Sequence, residues 1–386
     1  MSKRPVRRRH QRSGKSSSDQ ETGNDSSAPE VSEGARLGMD LLSGFQAGAP
    51  HSLILDTNIA SSLESVSRSI RESDLPKQMR SVWSESWDKV LREMSTPASG
   101  RPHQDVSTLA IMTNLLRRVE SATSRLEITP LEDSVIGTLG ETSLNAFNAS
   151  FFGATSLIAV HSHLMVFIQL LAKSVCQCIS DRTPDGGLRI GVRPPAEQFL
   201  LGTQHLSELI QAIRDRRDPT SAPVHIAAPG WYLWRPVHSI VDSIELFIVG
   251  HEYAHLLMDH REPFFVATLP DKMTGQDVEH IADFFAQIVL LSDANATDLY
   301  LAVVSPLLFF KSLALMERDS ILPYPKEHPA SSERLAFLLE SLAFLATTPA
   351  PRKILQDLLG VWSNIDGLLE EAWAVAMEHH KSRSTE

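Results

Sequence analysis

Residues 249–260 read VGHEYAHLLMDH and hold two histidines four positions apart, His251 and His255, with Glu252 directly after the first. On an α-helix, residues four apart lie one turn apart on the same face, so both imidazoles can reach one metal ion at about 2.0–2.1 Å each. Glu252 is turned about 100° from His251 around the helix, so it can contact a metal-bound water instead of the ion. The spacing is that of the HExxH zinc hydrolases.

The helix that carries this motif is predicted to begin just past Pro236 and to end before Pro263, because proline is poorly tolerated inside a helix. Its apolar residues recur at steps of three and four, and the same stripe continues through the two histidines. Both histidines are therefore expected to face the core. Two histidines leave the coordination shell open, since catalytic zinc usually takes three protein ligands and a water.

The third ligand cannot follow the HExxHxxGxxH pattern of the metzincins. That pattern needs glycine and histidine at the positions that Met258 and Arg261 occupy. The alternative is a glutamate on a second helix, the arrangement of the gluzincins.

A second helix is predicted from residue 276 to residue 292. Thr274 and Asp277 before it have the spacing of a capping box. Glu279 and Asp283 then lie four apart on one face, where Glu279 is the predicted third ligand. Asp283 is predicted to accept a hydrogen bond from the far nitrogen of a ligand histidine and so to fix its tautomer.

HEYAH followed by this E-x-x-x-D helix resembles the gluzincin zinc metallopeptidases of the CaaX prenyl protease/HtpX-like family. Two further segments carry the resemblance: LNAF at 144–147, and EHPASSERLAFLLE at 327–340, which contains His328 and Arg334. The similar stretches run in the family's order over roughly 141–345. ImmA/IrrE-like peptidases, which also join HExxH to a helix of this kind, are the second choice.

The chain departs from the first family in three respects. The membrane helices of many members are missing, and about 70 residues separate the SLIAVHSHLM strand from the HEYAH helix. Residues 1–140 have no counterpart that the resemblance assigns. The chain is therefore expected to be a soluble variant.

The expected mechanism uses one Zn²⁺ on His251, His255 and Glu279 and takes Glu252 as general base. The tetrahedral intermediate needs a donor for its oxyanion, and His328 is the predicted catalytic donor. Arg334 is the alternative donor, with a supporting role behind the ligands. Buried structural roles for both residues stay open.

The run SLIAVHSHLM at 156–165 is predicted to be an edge strand that leads into a helix. As an edge strand it would pair with an extended substrate. Ile158, Val160 and Ser162 are its predicted substrate-strand residues, because alternate residues share one face.

The predicted fold class is α+β and mainly helical: a zincin-like catalytic domain with a small β-sheet beside the HExxH helix. It comprises a disordered basic arm at 1–35, a helical region at 36–140, and a metallopeptidase domain at 141–386 with an insertion at about 180–230. From the HExxH helix onward, helices are predicted at about 237–260, 276–292, 296–317, 331–346 and 352–379, the third kinked at Pro306.

Composition narrows the location and the partners. The 386 residues carry a net charge of −11, although residues 1–18 hold seven Lys or Arg and no acid. Such an arm can touch nucleic acid, but a solvated tail is the favoured interpretation. Two cysteines exclude a disulfide framework and favour a reducing, cytoplasmic compartment. Neither apolar stretch, 151–172 or 299–316, is uninterrupted enough to predict a transmembrane span.

The function predicted from these patterns is a soluble zinc-dependent endopeptidase that acts on a protein or peptide substrate. A binding module with structural zinc is disfavoured, because structural zinc usually has four protein ligands. The other alternative is an inactive or conditionally active zinc-binding regulator, serving stress or defence, whose basic arm recruits a partner or nucleic acid. The sequence predicts no oligomeric state.

Overall fold

The computed structural model of the chain describes residues 106–139, 144–151, 155–183, 188–217, 233–260, 274–294, 299–323, 328–346 and 352–383. The predicted basic arm and most of the predicted helical region before residue 140 lie outside these ranges. Within them the protein is mainly helical with a small sheet, which confirms the coarse fold prediction.

Eight helices and five strands make up the described part of the chain. The helices are α1 (Val106–Arg125), α2 (Ser162–Ile179), α3 (Ala196–Arg214), α4 (Trp234–Asp259), α5 (Gly275–Asp293), α6 (Leu299–Arg318), α7 (Ser331–Leu345) and α8 (Arg352–Arg383). The strands are β1 (Ser134–Leu139), β2 (Ala146–Phe151), β3 (Thr155–His161), β4 (Ser180–Arg182) and β5 (Leu188–Ile190).

The helices from α4 onward begin and end within about four residues of their predicted bounds. Helix α4 begins at Trp234, not after Pro236, because proline is well tolerated in the first turn, where its missing N–H has no partner to lose. Helix α6 continues through Pro306 as one element.

Strands β1, β2 and β3 form a three-stranded sheet in the order β1-β3-β2, with β1 parallel and β2 antiparallel to β3. One face of this sheet packs on the helices, where Ile136, Ile158 and Val160 join the main core. The opposite face forms a separate small cluster around Leu157 and Ala159. Strands β4 and β5 make a hairpin elsewhere.

The prediction that SLIAVHSHLM is an edge strand is wrong. Strand β3 is the central strand, so its backbone donors and acceptors are paired on both sides and cannot receive a substrate. Ile158 and Val160 are buried in the core, and Ser162 is the first residue of α2. Asn148 lies in the middle of β2, paired opposite Ile158.

Helix α4 runs through the centre of the helical layer. It packs against α1, α2, α5 and α6, and most of its residues are buried. Gly250 lies against α5, where an added Cβ would lie 3.4 Å from Ala286 Cα. This contact brings the two helices that carry the predicted ligands side by side.

Helix α3 lies within the predicted insertion but packs against α2 and α8 in the same core. Phe199, Leu206, Leu209 and Ile210 are its buried apolar residues. Gly202 lets α3 approach α2 closely, because a Cβ there would lie 2.6 Å from Cys178 Sγ and 2.9 Å from Gln177 Cβ.

We therefore expect Gly202→Ala to destabilise the protein by about 1–3 kcal/mol through overpacking. Gly360→Ala is the matched control, since nothing lies within 4 Å of its added Cβ on α8. That substitution should stabilise by about 0.5–1 kcal/mol, because alanine is the better helix former. Urea unfolding of both variants measures the difference, and equal midpoints would contradict the tight α2–α3 contact.

Two described helices, α2 and α6, are long and apolar enough to cross a membrane by length and composition. The structure buries 78% of the apolar window in α2 and 67% of that in α6. Core helices of globular proteins pass the same test, so these helices are weak evidence for a membrane span.

Candidate metal centre

Three side chains converge where α4 and α5 lie side by side: His251, His255 and Glu279. The Nε2 atoms of the two histidines are 3.1 Å apart. His251 Nε2 lies 3.3 Å from Glu279 Oε2, and His255 Nε2 lies 3.3 Å from Glu279 Oε1. His251 and Glu279 are buried, and His255 is partly exposed. These are the three residues predicted as metal ligands.

The donor set and its spacing fit a metal ion. Ligand atoms at about 2.0–2.1 Å from a tetrahedral zinc ion are about 3.3 Å from one another, close to the separations in this cluster. Glu279 Oε2 is buried, and its described neighbours are His251 Nε2 at 3.3 Å and Arg334 Nη1 at 4.0 Å. These contacts are too long to satisfy the oxygen fully, which is costly unless another group does so. The described residues therefore include a buried group that could hold a metal ion.

The two helices aim these side chains inward for local reasons. On α4, Ile244 and Phe247 are buried on the stripe that continues to His251. On α5, both hydrogen bonds of the capping box form: Thr274 N–H donates to Asp277 Oδ2, and Asp277 N–H donates to Thr274 Oγ1. They fix where the helix begins.

Behind His251 lies a second layer of charge. Asp283, which is completely buried, has its Oδ1 atom 2.9 Å from His251 Nδ1. The Nε atom of Arg334 donates to Asp283 Oδ2 at 2.8 Å, and Arg334 Nη2 donates to Oδ1. The Arg334 guanidinium lies 4.4 Å over the Phe310 ring. With Nδ1–H of His251 donated to Asp283, its Nε2 atom faces the cluster.

The pKa values of these groups follow from burial and from their partners. Burial raises the pKa of Asp283, but the charge and hydrogen bonds of Arg334 together with those of His251 outweigh burial and hold that pKa below its ordinary value. Burial and the charge of Arg334 lower the pKa of His251. The hydrogen bonds of His251 to Asp283 and Glu279 raise that pKa by more, so the net result is a pKa of about 9. Burial likewise opposes ionisation of Glu279, but contacts with three histidines hold its pKa well below the usual range. Glu279 is thus a carboxylate, the form that binds metal.

His328 lies at the exposed side of the cluster. Its Nδ1 atom is 3.0 Å from Glu279 Oε1, and its side chain is 48% exposed. The hydrogen bond to Glu279 raises the pKa of His328. Position and exposure allow this imidazole to meet a molecule that enters from solvent, whereas the Arg334 side chain is only 16% exposed and is paired with Asp283.

Glu252 is buried beside His251 but is not one of the three converging ligands. Its Oε2 atom accepts a hydrogen bond of 2.6 Å from Asn148 Nδ2 on β2. The sequence reasoning missed Asn148, although the alternation of Ala146, Asn148 and Ser150 was a signal that these residues share one face of a strand.

A second contact between the sheet and the same helix was also missed. His260, the C-cap residue of α4, has its Nε2 atom 3.3 Å from Ser150 Oγ and 3.1 Å from Ser156 Oγ. In contrast, the predicted substrate-strand residues Ile158, Val160 and Ser162 belong to the core side of the sheet and to α2.

Comparisons of the chain with protein-family models, with curated proteins and with solved structures find no match in any of the three.

Proposed function

We propose that the protein is a zinc-dependent endopeptidase with a zincin-like catalytic domain. The observation that carries the proposal is the buried convergence of His251, His255 and Glu279, with Glu252 next to it on the same helix but outside the ligand set. Three protein ligands and a neighbouring carboxylate are the donor set of a catalytic zinc site, whereas structural zinc usually takes four protein ligands.

A bound zinc ion would lower the pKa of its water to about 7 and polarise the peptide carbonyl. Glu252 takes one proton from the attacking water as the water oxygen bonds to the carbonyl carbon. Glu252 then gives that proton to the peptide nitrogen as the C–N bond breaks. The products are a carboxylic acid and an amine, which together contain the atoms of one peptide bond and one water.

We assign His328 as the donor to the oxyanion, because its imidazole is exposed beside the cluster and can be protonated. Arg334 donates to Asp283 and stacks over Phe310, so its role is to hold Asp283 and, through it, the His251 ring.

The substrate is proposed to be an extended peptide that pairs with β2. Among the described strands β2 pairs only with β3, and its other edge is the one we propose for a further strand. Strand β2 also packs against α4, and its Asn148 contacts Glu252. A peptide added at this edge would lie beside the general base.

A zinc-binding regulator that is inactive or conditionally active is the second candidate. It shares the ligand cluster, so metal binding alone does not separate the two. The buried Glu252 outside the ligand set favours the enzyme, because a purely structural site has no use for a base.

Metal removal tests the proposal. We expect the full-length protein to hold one zinc ion per chain and to cleave fluorescein-labelled casein. 1,10-Phenanthroline should abolish cleavage, and one equivalent of Zn²⁺ should restore it, because the base has no activated water without the ion. Zinc content by mass spectrometry and fluorescence release measure both. A protein that binds zinc without cleaving casein would favour the regulator, and one that binds no metal would contradict both candidates.

A further inference from the structure

We infer that Asn148 is a positioning residue that orients Glu252 for its work as general base. This inference rests on the proposed function and extends it to a residue of the sheet. It is carried by the 2.6 Å hydrogen bond from Asn148 Nδ2 to Glu252 Oε2, which joins positions 104 apart in the chain.

The place of Asn148 in the sheet directs its side chain at α4. Asn148 pairs opposite Ile158, and directly opposed residues of an antiparallel pair point to the same face. Ile158 is fully buried in the main core, so this is the helix-facing side of the sheet. The neighbouring Phe147 packs with the cluster on the other face. The side chain of Asn148 therefore meets the helix because of the strand's register.

The hydrogen bond restrains a carboxylate that would otherwise have rotational freedom. Glu252 has three side-chain torsions, and its Oε1 atom accepts no hydrogen bond from the described residues. Anchoring Oε2 leaves Oε1 as the oxygen that can receive a proton from water. A neutral amide suits this task, because it donates to the carboxylate without adding a charge that would compete for the proton.

The same strand and helix share a second bridge that does not touch the base. Ser150, two residues along β2 and on the same face, contacts His260 at the end of α4. Both bridges dock the sheet on the helix, but only Asn148 reaches Glu252. Ser150→Ala leaves only the Ser156 contact to His260 and is therefore a matched control for weakened docking alone.

The test uses the full-length protein with Co²⁺ in place of Zn²⁺ and acetohydroxamate as the probe. A hydroxamate chelates the metal and donates a hydrogen bond to the neighbouring carboxylate, so its affinity reports how well Glu252 is oriented. Visible absorption of Co²⁺ measures both loading and acetohydroxamate binding. We expect Asn148→Ala to load one Co²⁺ and to bind acetohydroxamate about tenfold more weakly, as for one lost hydrogen bond. Ser150→Ala should bind it as wild type does.

Casein cleavage adds a second readout. Asn148→Ala should lower kcat by about 10–100-fold with little change in KM, because the base and not the binding edge is displaced. Asn148→Asp is isosteric, and it should lose at least as much because two carboxylates then face each other. It also carries the test if the alanine variant does not fold.

A double-mutant cycle shows whether Asn148 acts through Glu252. In a Glu252→Ala background, Asn148→Ala should cause no further loss of acetohydroxamate affinity, because no carboxylate remains to be oriented. Equal losses in both backgrounds would overturn the inference, as would a wild-type affinity in Asn148→Ala. A wild-type protein that takes up no Co²⁺ would instead count against the proposed function.

Discussion

Glu252→Gln is expected to abolish proteolysis while the protein keeps its zinc. The amide is isosteric and can still meet Asn148 Nδ2 through its carbonyl oxygen, so the site should keep its shape. It cannot take a proton from water, however, and general acid–base catalysis typically contributes about 10²–10⁴-fold. We expect kcat on labelled casein to fall by a factor in that range, with one zinc ion still bound per chain.

Glu340→Gln is the matched control for this substitution, because Glu340 is exposed on α7 and the change of charge is the same. It should leave both zinc content and kcat unaltered. Undiminished cleavage by Glu252→Gln would contradict the assignment of the base. Loss of zinc in that variant would instead show that Glu252 contributes to the ligand set.

Glu279→Ala is expected to lose the metal and, with it, all activity. Glu279 supplies the only carboxylate of the ligand group in the described part of the chain, and its two oxygens lie 3.3 Å from the two histidines. Its removal leaves two imidazoles as ligands. Loss of a residue that only hydrogen-bonds to a ligand typically weakens metal affinity by about 10–100-fold, and we expect a larger loss of zinc affinity here. Competition with a chelating zinc dye measures this affinity.

The apo form of Glu279→Ala should also change in stability, since Glu279 contacts three histidines. Circular dichroism is therefore recorded beside the zinc titration, and a folded spectrum with weak zinc binding is the expected pair of results. Glu340→Ala should bind zinc as wild type does. Wild-type affinity in folded Glu279→Ala would show that the third ligand is assigned wrongly.

The two substitutions separate metal binding from chemistry. Glu252→Gln tests catalysis with the metal in place, whereas Glu279→Ala tests the site that holds it. A regulator that binds zinc without hydrolysing peptides would lose zinc on Glu279→Ala. It would show no effect of Glu252→Gln on proteolysis, because it has no proteolytic activity.

The three candidate ligands were predictable from sequence because the signals that place them side by side are local. His251 and His255 lie one helical turn apart, and the apolar stripe of α4 predicts that both face the core. Glu279 and Asp283 have the same spacing on α5, where the Thr274–Asp277 capping box marks the helix start. Helical hydrogen bonds connect residues four positions apart, so the sequence of a short segment is enough to predict a helix and its faces.

The sheet could not be predicted in the same way. The β-rich composition of residues 156–161 indicates a strand. Nothing within that segment predicts, however, that β1 and β2 pair on its two sides. Its edges were therefore misassigned, and with them the substrate-strand residues Ile158, Val160 and Ser162. Strand pairing is non-local, and packing of the whole core decides it.

By itself, the sequence determined the helices and the identity of the three candidate ligands, since both depend on spacing within single segments. Only the tertiary structure decided that β2 is the strand beside the site, that Asn148 reaches Glu252, and that Arg334 holds Asp283 across 51 positions of chain. These contacts join side chains from separate elements. They form only when α4, α5, α7 and the sheet bury their apolar faces together, which no single segment can specify.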